Sequence, residues 1–413
     1  MPKKAMPKFS AIEVGERPQY LSDNFLHRVK RSYRLATEKV SDDEGIVWPQ
    51  IDLMRRSVHD ALVASENTGL RDIFSDPITT DLFYGVDNLA STMEGIFVAT
   101  PGADVGLPKQ ARDQMVELAQ ALGVIRWVPR EAEQFEAYLK TPYFEPIPAT
   151  DDLLEMIEQK LGFPILFPNP FRGERGVGTS RGLASTRAIA ALYQAFRVAQ
   201  EARLTKQGSV LEIGPGMGRT AYYAVKAGIR RYTTIDIPMG VVAQACFLGA
   251  ALGPDTLWML GEDEPPAARV RLLPSTELHL LEGKFEVVLN VDSLTEMGEA
   301  GASRYASWIA AHAVTFLSIN QEARDVTIPA LAKDALAAAD YRRFPYLMRP
   351  GYVEEIFRTS EALTELERLR RETSSSHRTG RRFISLTLNR LTRGAKAKPL
   401  ALRTTQARSP RKL

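Results

Sequence analysis

The chain has 413 residues, 44% hydrophobic and 25% charged, a composition that excludes a low-complexity or intrinsically disordered chain and suffices for a sizeable core. A single cysteine, Cys246, excludes an internal disulfide framework, and no run of about 18 apolar residues is present to span a membrane. The formal charge of +3 hides an asymmetry: residues 1–8 hold three lysines and Arg390–Leu413 holds eight Lys/Arg, leaving 42 basic against 50 acidic residues in 9–389, a net of −8.

The basic character therefore belongs to two terminal stretches, 1–8 and 390–413, which read as disordered and solvated. The lone cysteine and an N-terminus without the apolar segment of a secretory signal suggest a cytoplasmic protein. Residues 9–150 show helical periodicity without a βαβ rhythm. Ile51, Met54, Val58 and Leu62 recur at helical spacing, as do Met115, Leu118, Ala119 and Leu122. A helical N-terminal domain is expected there, with a second domain over 151–389.

Asp151–Leu161 reads as a helix that stops at Gly162. The Pro-, Gly- and Arg-rich stretch Phe163–Gly182 reads as a loop of functional length. A helix carrying Ile189, Leu192, Tyr193 and Phe196 on one face follows. Arg181 and Arg187, at its approach, are candidates to hold an anionic group of a ligand.

The stretch Ser209–Gly218, Ser-Val-Leu-Glu-Ile-Gly-Pro-Gly-Met-Gly, organises what comes next. Val210, Leu211 and Ile213 suit a buried parallel strand, and a helical pattern begins immediately after the glycines. Glycines between strand and helix let a ligand approach bare backbone at a helix N-terminus. The dinucleotide fingerprint G-x-G-x-x-G would need a glycine where Arg219 stands, and the P-loop Gly-Lys-Ser/Thr is absent. With Glu212 two residues before G-x-G-x-G, the stretch resembles the first motif of the class I S-adenosylmethionine-dependent methyltransferases. A second strand, Tyr232–Asp236, ends in an acid 18 residues beyond Gly218, the device that accepts ribose hydroxyls.

A helix over Met239–Leu252, a third strand over Val270–Leu273, a fourth over Phe285–Asn290, a helix around Ser303–Ala313 and a fifth strand over Val314–Ile319 complete the rhythm. A helix over Leu331–Asp340 and a last antiparallel strand over Arg382–Leu388 are expected beyond them. The fold class is thus α/β, a Rossmann-like open and mostly parallel sheet with flanking helices, preceded by the helical domain. Ligands of such sheets lie at the carboxyl ends of the strands. Candidate ligand-binding residues there are Glu212, Gly214, Pro215, Gly216, Gly218, Asp236, Ile237, Ser275, Thr276 and Asn290, with Arg181 from the preceding loop.

The chain resembles, more specifically, the sugar O-methyltransferases found among bacterial polysaccharide genes. The resemblance rests on Glu-Ile-Gly-Pro-Gly-Met-Gly, on Asp236-Ile237-Pro238, on Asn290-Val291-Asp292-Ser293-Leu294-Thr295-Glu296-Met297, on Thr179–Gly182 and on Phe344–Tyr352. It implies S-adenosylmethionine as cofactor and a sugar or glycan hydroxyl as acceptor. Deprotonating that hydroxyl needs a base or a metal. Asp292 is the first candidate, with Glu296, which shares its face if the segment is helical, and then His279 and His312. Asp292, Glu296 and Asn320–Glu322 are oxygen donors of the kind Mg²⁺ takes, although no His-x-x-x-His or clustered-Asp signature accompanies them. A nucleic-acid methyltransferase is disfavoured by the acidic body and by the absence of Asn/Asp-Pro-Pro-Tyr/Phe after the fourth strand. A non-catalytic interaction protein on this fold is disfavoured by the retained Glu212, glycines and Asp236. The sequence leaves a homo-oligomer open.

Overall fold

Strand and helix alternate as the patterns demand, and the strands assemble around the one that carries the glycine motif. The structure, a computed structural model, describes residues 21–38, 53–100, 102–127, 147–202, 208–323, 326–335, 340–364 and 367–368. Its helices are α1 (Asp23–Thr37), α2 (Arg56–Val63), α3 (Thr68–Ser75), α4 (Ser91–Ala99), α5 (Ala103–Ala121), α6 (Thr150–Leu161), α7 (Thr186–Ala202), α8 (Arg219–Lys226), α9 (Pro238–Leu252), α10 (Glu299–His312) and α11 (Ile328–Ala335). A two-stranded hairpin pairs β1 (Val177–Thr179) with β2 (Gly182–Ala184). The main sheet contains β3 (Ser209–Ile213), β4 (Arg231–Asp236), β5 (Leu257–Met259), β6 (Val270–Pro274), β7 (Phe285–Val291), β8 (Ala313–Gln321), β9 (Asp340–Pro345) and β10 (Tyr352–Arg358).

The strand order is β5-β6-β4-β3-β7-β8-β10-β9. The first six strands of that order run parallel, while β10 pairs antiparallel with both β8 and β9. The chain winds outward from β3 through β4 and then crosses back to β7. The order therefore reverses between β3 and β7, the place where a doubly wound sheet opens a crevice.

Side chains alternate across the sheet with a period of two. Val210, Leu272, Val287 and Leu317 face the side covered by α7, α8 and α9, and Leu211, Leu273, Val288 and Phe316 face α10 and α11. Among the described residues, the helices before residue 150 pack into the same core as the sheet. Phe25, Leu26 and Val29 of α1 and Met115 and Leu118 of α5 join the first of those faces. Arg28 grips the sheet's far end through Glu262 (2.6 and 3.1 Å) and the carbonyls of Pro254 (3.1 Å) and Leu257 (2.8 Å). The compact unit runs across residue 150 as far as Leu363, with a second unit from Thr364.

Several elements differ from the expectation. The short β5 follows α9, its Leu257 and Met259 buried and Trp258 lying 4.0 Å beneath the Arg271 guanidinium. Phe163–Gly182 is not all loop, because its end folds into the β1–β2 hairpin. Asn169 holds that hairpin by accepting from Leu183 N (2.8 Å) and donating to Leu183 O (3.1 Å). Of the helix expected over Leu331–Asp340, α11 covers Leu331–Ala335, and Asp340 belongs instead to β9, because Asp340–Pro345 is bonded along β10. The Arg382–Leu388 strand and the terminal stretches 1–8 and 390–413 lie outside the described residues.

Candidate active site

The turn after β3 depends on backbone that other residues reach with strain. Gly214, Gly216 and Gly218 have φ of 67°, 60° and 90°, all in the left-handed region. A Cβ on Gly214 would stand 2.3 Å from Ser293 Oγ, and one on Gly216 would stand 3.3 Å from the carbonyl oxygen of Val86. The turn is thus enclosed by the end of β7 on one side and by an N-terminal segment on the other.

Between them opens a cavity of about 670 Å³, within the range of small-molecule sites. Its floor is the carboxyl edge of the sheet, with Glu212 of β3, Asp236 of β4, the glycine turn, and Asp292, Ser293 and Glu296 after β7. Gly85–Asn88 and Thr186, Arg187, Ala190, Ala191 and Gln194 of α7 form its roof and back. Tyr346, Met348, Arg349 and Tyr352 close the remaining side.

Glu212 is 2% exposed and accepts a 2.8 Å hydrogen bond from Tyr232 Oη. Burial pushes its carboxyl up to about 8, with Asp236 adding to the rise and Tyr232 opposing it. Asp236 is half-buried, accepting from its neighbour Ile237 N and from Gln244 Nε2, both at 2.8 Å. Space for that carboxylate comes from Gly240, where a Cβ would lie 2.5 Å from Asp236 Cγ.

Asp292 is the sole non-glycine among the described residues with positive φ, at 59°. A strained residue at a strand end facing a cavity is a feature of functional sites. Its Oδ2 accepts from Tyr352 Oη at 2.5 Å and from Arg349 Nη1 at 3.1 Å. Oδ1 receives only a 3.4 Å contact from Gln321 Nε2. The Arg349 guanidinium lies 4.2 Å above the Tyr352 ring, which aligns both donors. Burial raises the Tyr352 hydroxyl above its ordinary pKa, and the hydrogen bond to Asp292 adds to the effect, so Tyr352 remains a donor at neutral pH.

Several expected residues stand elsewhere. Asn290 is fully buried and does not line the cavity: it donates to Ile213 O (3.0 Å) and Ser293 Oγ (2.5 Å) and accepts from Asn320 Nδ2 (2.9 Å). It ties the ends of β3, β7 and β8 together, because a buried amide must satisfy its donors and acceptor. Arg181 is drawn away into a 2.6 Å ion pair with Glu158. Ser275 and Thr276 enter a 3₁₀ turn, Ser275–Leu280, whose His279 is exposed; none of the three lines the cavity, and neither does Ile237. His312 stacks on Trp308 at 4.3 Å and is no cavity residue either. Asp292 and Glu296 do share the cavity, although by a left-handed residue followed by a 3₁₀ turn, Leu294–Glu296, and not by a continuous α-helix. Among the described residues, no group of three or more His, Cys, Asp or Glu is gathered to hold a metal.

Sequence reasoning missed a buried charge cluster beside the glycine turn. Arg219 Nε donates to Asp87 Oδ2 at 3.0 Å and Nη2 to Glu174 Oε2 at 2.9 Å, with all three side chains 8% exposed or less. Burial works to raise the Asp87 carboxyl, but Arg219, helped by Arg187, outweighs it and holds Asp87 below its ordinary range. Burial prevails at Glu174 and raises it. The only signal was the arginine itself, standing where a dinucleotide fold keeps glycine. Arg349 and Tyr352 were also missed as partners of Asp292, since 57 and 60 residues separate them from it.

No protein-family model matches this chain, and neither does any curated protein. Among solved structures the chain is similar to magnesium protoporphyrin IX methyltransferase from Synechocystis PCC 6803 with bound SAM, at 15% identity over 42% of this chain and 80% of that one, TM-score 0.31. It is also similar to the methyltransferase domain of bacterial CtHen1, at 11% identity over 41% and 97%, TM-score 0.31. A third is a cyclopropane-fatty-acyl-phospholipid synthase-like protein from Lactobacillus casei ATCC 334, at 18% identity over 37% and 55%, TM-score 0.25.

Proposed function

We propose that this chain is an S-adenosylmethionine-dependent O-methyltransferase whose acceptor is a hydroxyl of a sugar or of a glycosylated small molecule. One observation carries the reading. At the reversal of strand order, a single cavity gathers the left-handed glycine turn, the acids Glu212 and Asp236, and the strained Asp292. When bound, S-adenosylmethionine supplies a methyl group on a cationic sulfonium, with a thioether as leaving group.

The residues present fit that cofactor. The bare backbone at Gly214 and Gly216 admits its amino-acid end, while Gly218, where a Cβ would stand 3.0 Å from Leu248 Cδ1, lies against α9 and does not line the cavity. Asp236 presents a carboxylate to the cavity at the end of β4, the acceptor chemistry that ribose hydroxyls require. Glu212, largely protonated at neutral pH while alone, gains by ionising beside a cation. Arg187 is exposed, lines the cavity and has no ion pair among the described residues, which suits the cofactor's carboxylate.

Asp292 is assigned as the general base. Tyr352 and Arg349 occupy Oδ2, so the acceptor's proton passes to Oδ1 as the hydroxyl oxygen takes the methyl. The two donors fix the carboxylate's orientation, and the left-handed backbone turns it into the cavity. Calorimetry should detect binding of S-adenosylhomocysteine; binding of NAD instead would overturn the reading. Asp292→Asn should preserve that affinity while turnover, measured by labelled methyl transfer to a panel of sugars and glycans, falls about 10²–10⁴-fold. A variant retaining its turnover would move the search for the base to Glu296. Loss of activity on chelation, restored by Mg²⁺, would replace direct proton transfer by a metal-assisted step.

A further inference from the structure

The Arg219 cluster joins three stretches of chain that are far apart in sequence. Asp87 belongs to the roof segment, Glu174 to the stretch before β1, and Arg219 is the first residue of α8, directly after the glycine turn. The guanidinium also lies 5.4 Å above the Phe247 ring of α9. Such a buried group cannot shift without leaving a carboxylate unpaired in low dielectric. The roof is further shaped by Asp87 itself, whose Oδ1 accepts from Asn88 N at 2.7 Å. Next to Asp87, the Val86 carbonyl sits against Gly216, and Gly85–Asn88 line the cavity.

We infer that Arg219 is a positioning residue for cofactor capture, a strap that holds residues 85–88 as a roof over the glycine turn. The inference rests on the methyltransferase reading and extends it: the cofactor site is incomplete without the N-terminal region, and one buried guanidinium joins the two. The strap acts through the roof, by fixing the Val86–Gly216 contact that bounds the space for the cofactor's amino-acid end. Arginine is needed because its planar fork reaches two carboxylates at once, which the compact ammonium of lysine does not.

Hydrogen exchange on the full-length wild-type chain tests this without any variant. Saturation with S-adenosylhomocysteine should slow exchange at the amides of Val86 and Asp87 about tenfold or more beyond any change at Val29 of α1. Arg219→Lys, confirmed as folded by cooperative unfolding, should bind S-adenosylhomocysteine about tenfold or more weakly. Asp87→Asn should weaken binding alongside it, and Glu174→Gln should cost less than either. Equal slowing at the roof and at α1, or an Arg219→Lys chain that binds within about twofold of wild type, overturns the strap while leaving the methyltransferase reading standing. Failure of the wild type to bind S-adenosylhomocysteine at all overturns both.

Discussion

The two ends of the cavity are built in opposite ways. Its glycine end comes from one continuous stretch, β3 through the start of α9, in which Glu212, the three glycines and Asp236 follow one another within 25 residues. The opposite wall and the roof are assembled from Gly85–Asn88, α7, Asp292 and the Arg349–Tyr352 turn. Local backbone geometry suffices for the first. The second exists only because buried ion pairs and long-range hydrogen bonds bring distant segments together. Changes at the glycine end should therefore act directly on ligand affinity and protonation, whereas changes at the assembled end should act first on stability, and through it on affinity at the roof and on turnover at Asp292.

The largest effect should come from the assembled end. Arg219→Met leaves Asp87 and Glu174 buried without their partner, and chemical denaturation should show a loss of about 3–5 kcal/mol. If the loss stayed below about 1 kcal/mol, the cluster would be as dispensable as a surface pair.

Glu212 should reveal the glycine end through pH. Its folded carboxyl titrates near 8, against 4.5 ordinarily, so between those values the folded state keeps a proton that the unfolded chain has released. Stability should fall as pH rises through that window and level off above it. Glu212→Gln should flatten the slope and exceed wild type at pH 9 by up to about 5 kcal/mol. A pH slope identical in the variant would show that Glu212 is not the titrating group.

Next in size is ribose recognition. Asp236→Ala should weaken S-adenosylhomocysteine binding by roughly 2–4 kcal/mol, read by calorimetry. Unchanged affinity would remove Asp236 from the binding site and leave it a purely structural acceptor for Gln244.

The smallest effect is expected at Tyr352. Tyr352→Phe removes one donor from Asp292 and leaves Arg349 in place, so turnover should fall about tenfold with cofactor affinity unchanged. Loss of cofactor binding in that variant would blur the distinction between the two ends.

The sequence by itself determined the elements whose signals are local. Apolar runs of strand length, helical periodicity and Gly162 as a stop placed β3, β4, β6, β7, β8, α6 and α9 to within a residue or two. It also brought Glu212, the glycines, Asp236 and Asp292 to one edge of a sheet, because parallel strands with crossover helices share a direction. Tertiary structure alone decided which of those strand-end residues face the cavity. Asn290 turned inward because a fully buried amide must satisfy its own hydrogen bonds, while Asp292, two residues on, entered the cavity on a left-handed backbone. Arg181 and His279 were lost to the site because an ion pair and an exposed turn carried them away from it. The pairing of Arg219 with Asp87 across 132 residues has no local signature: an arginine after a glycine turn is surface chemistry until the fold buries it, and burial then compels it to find its carboxylates.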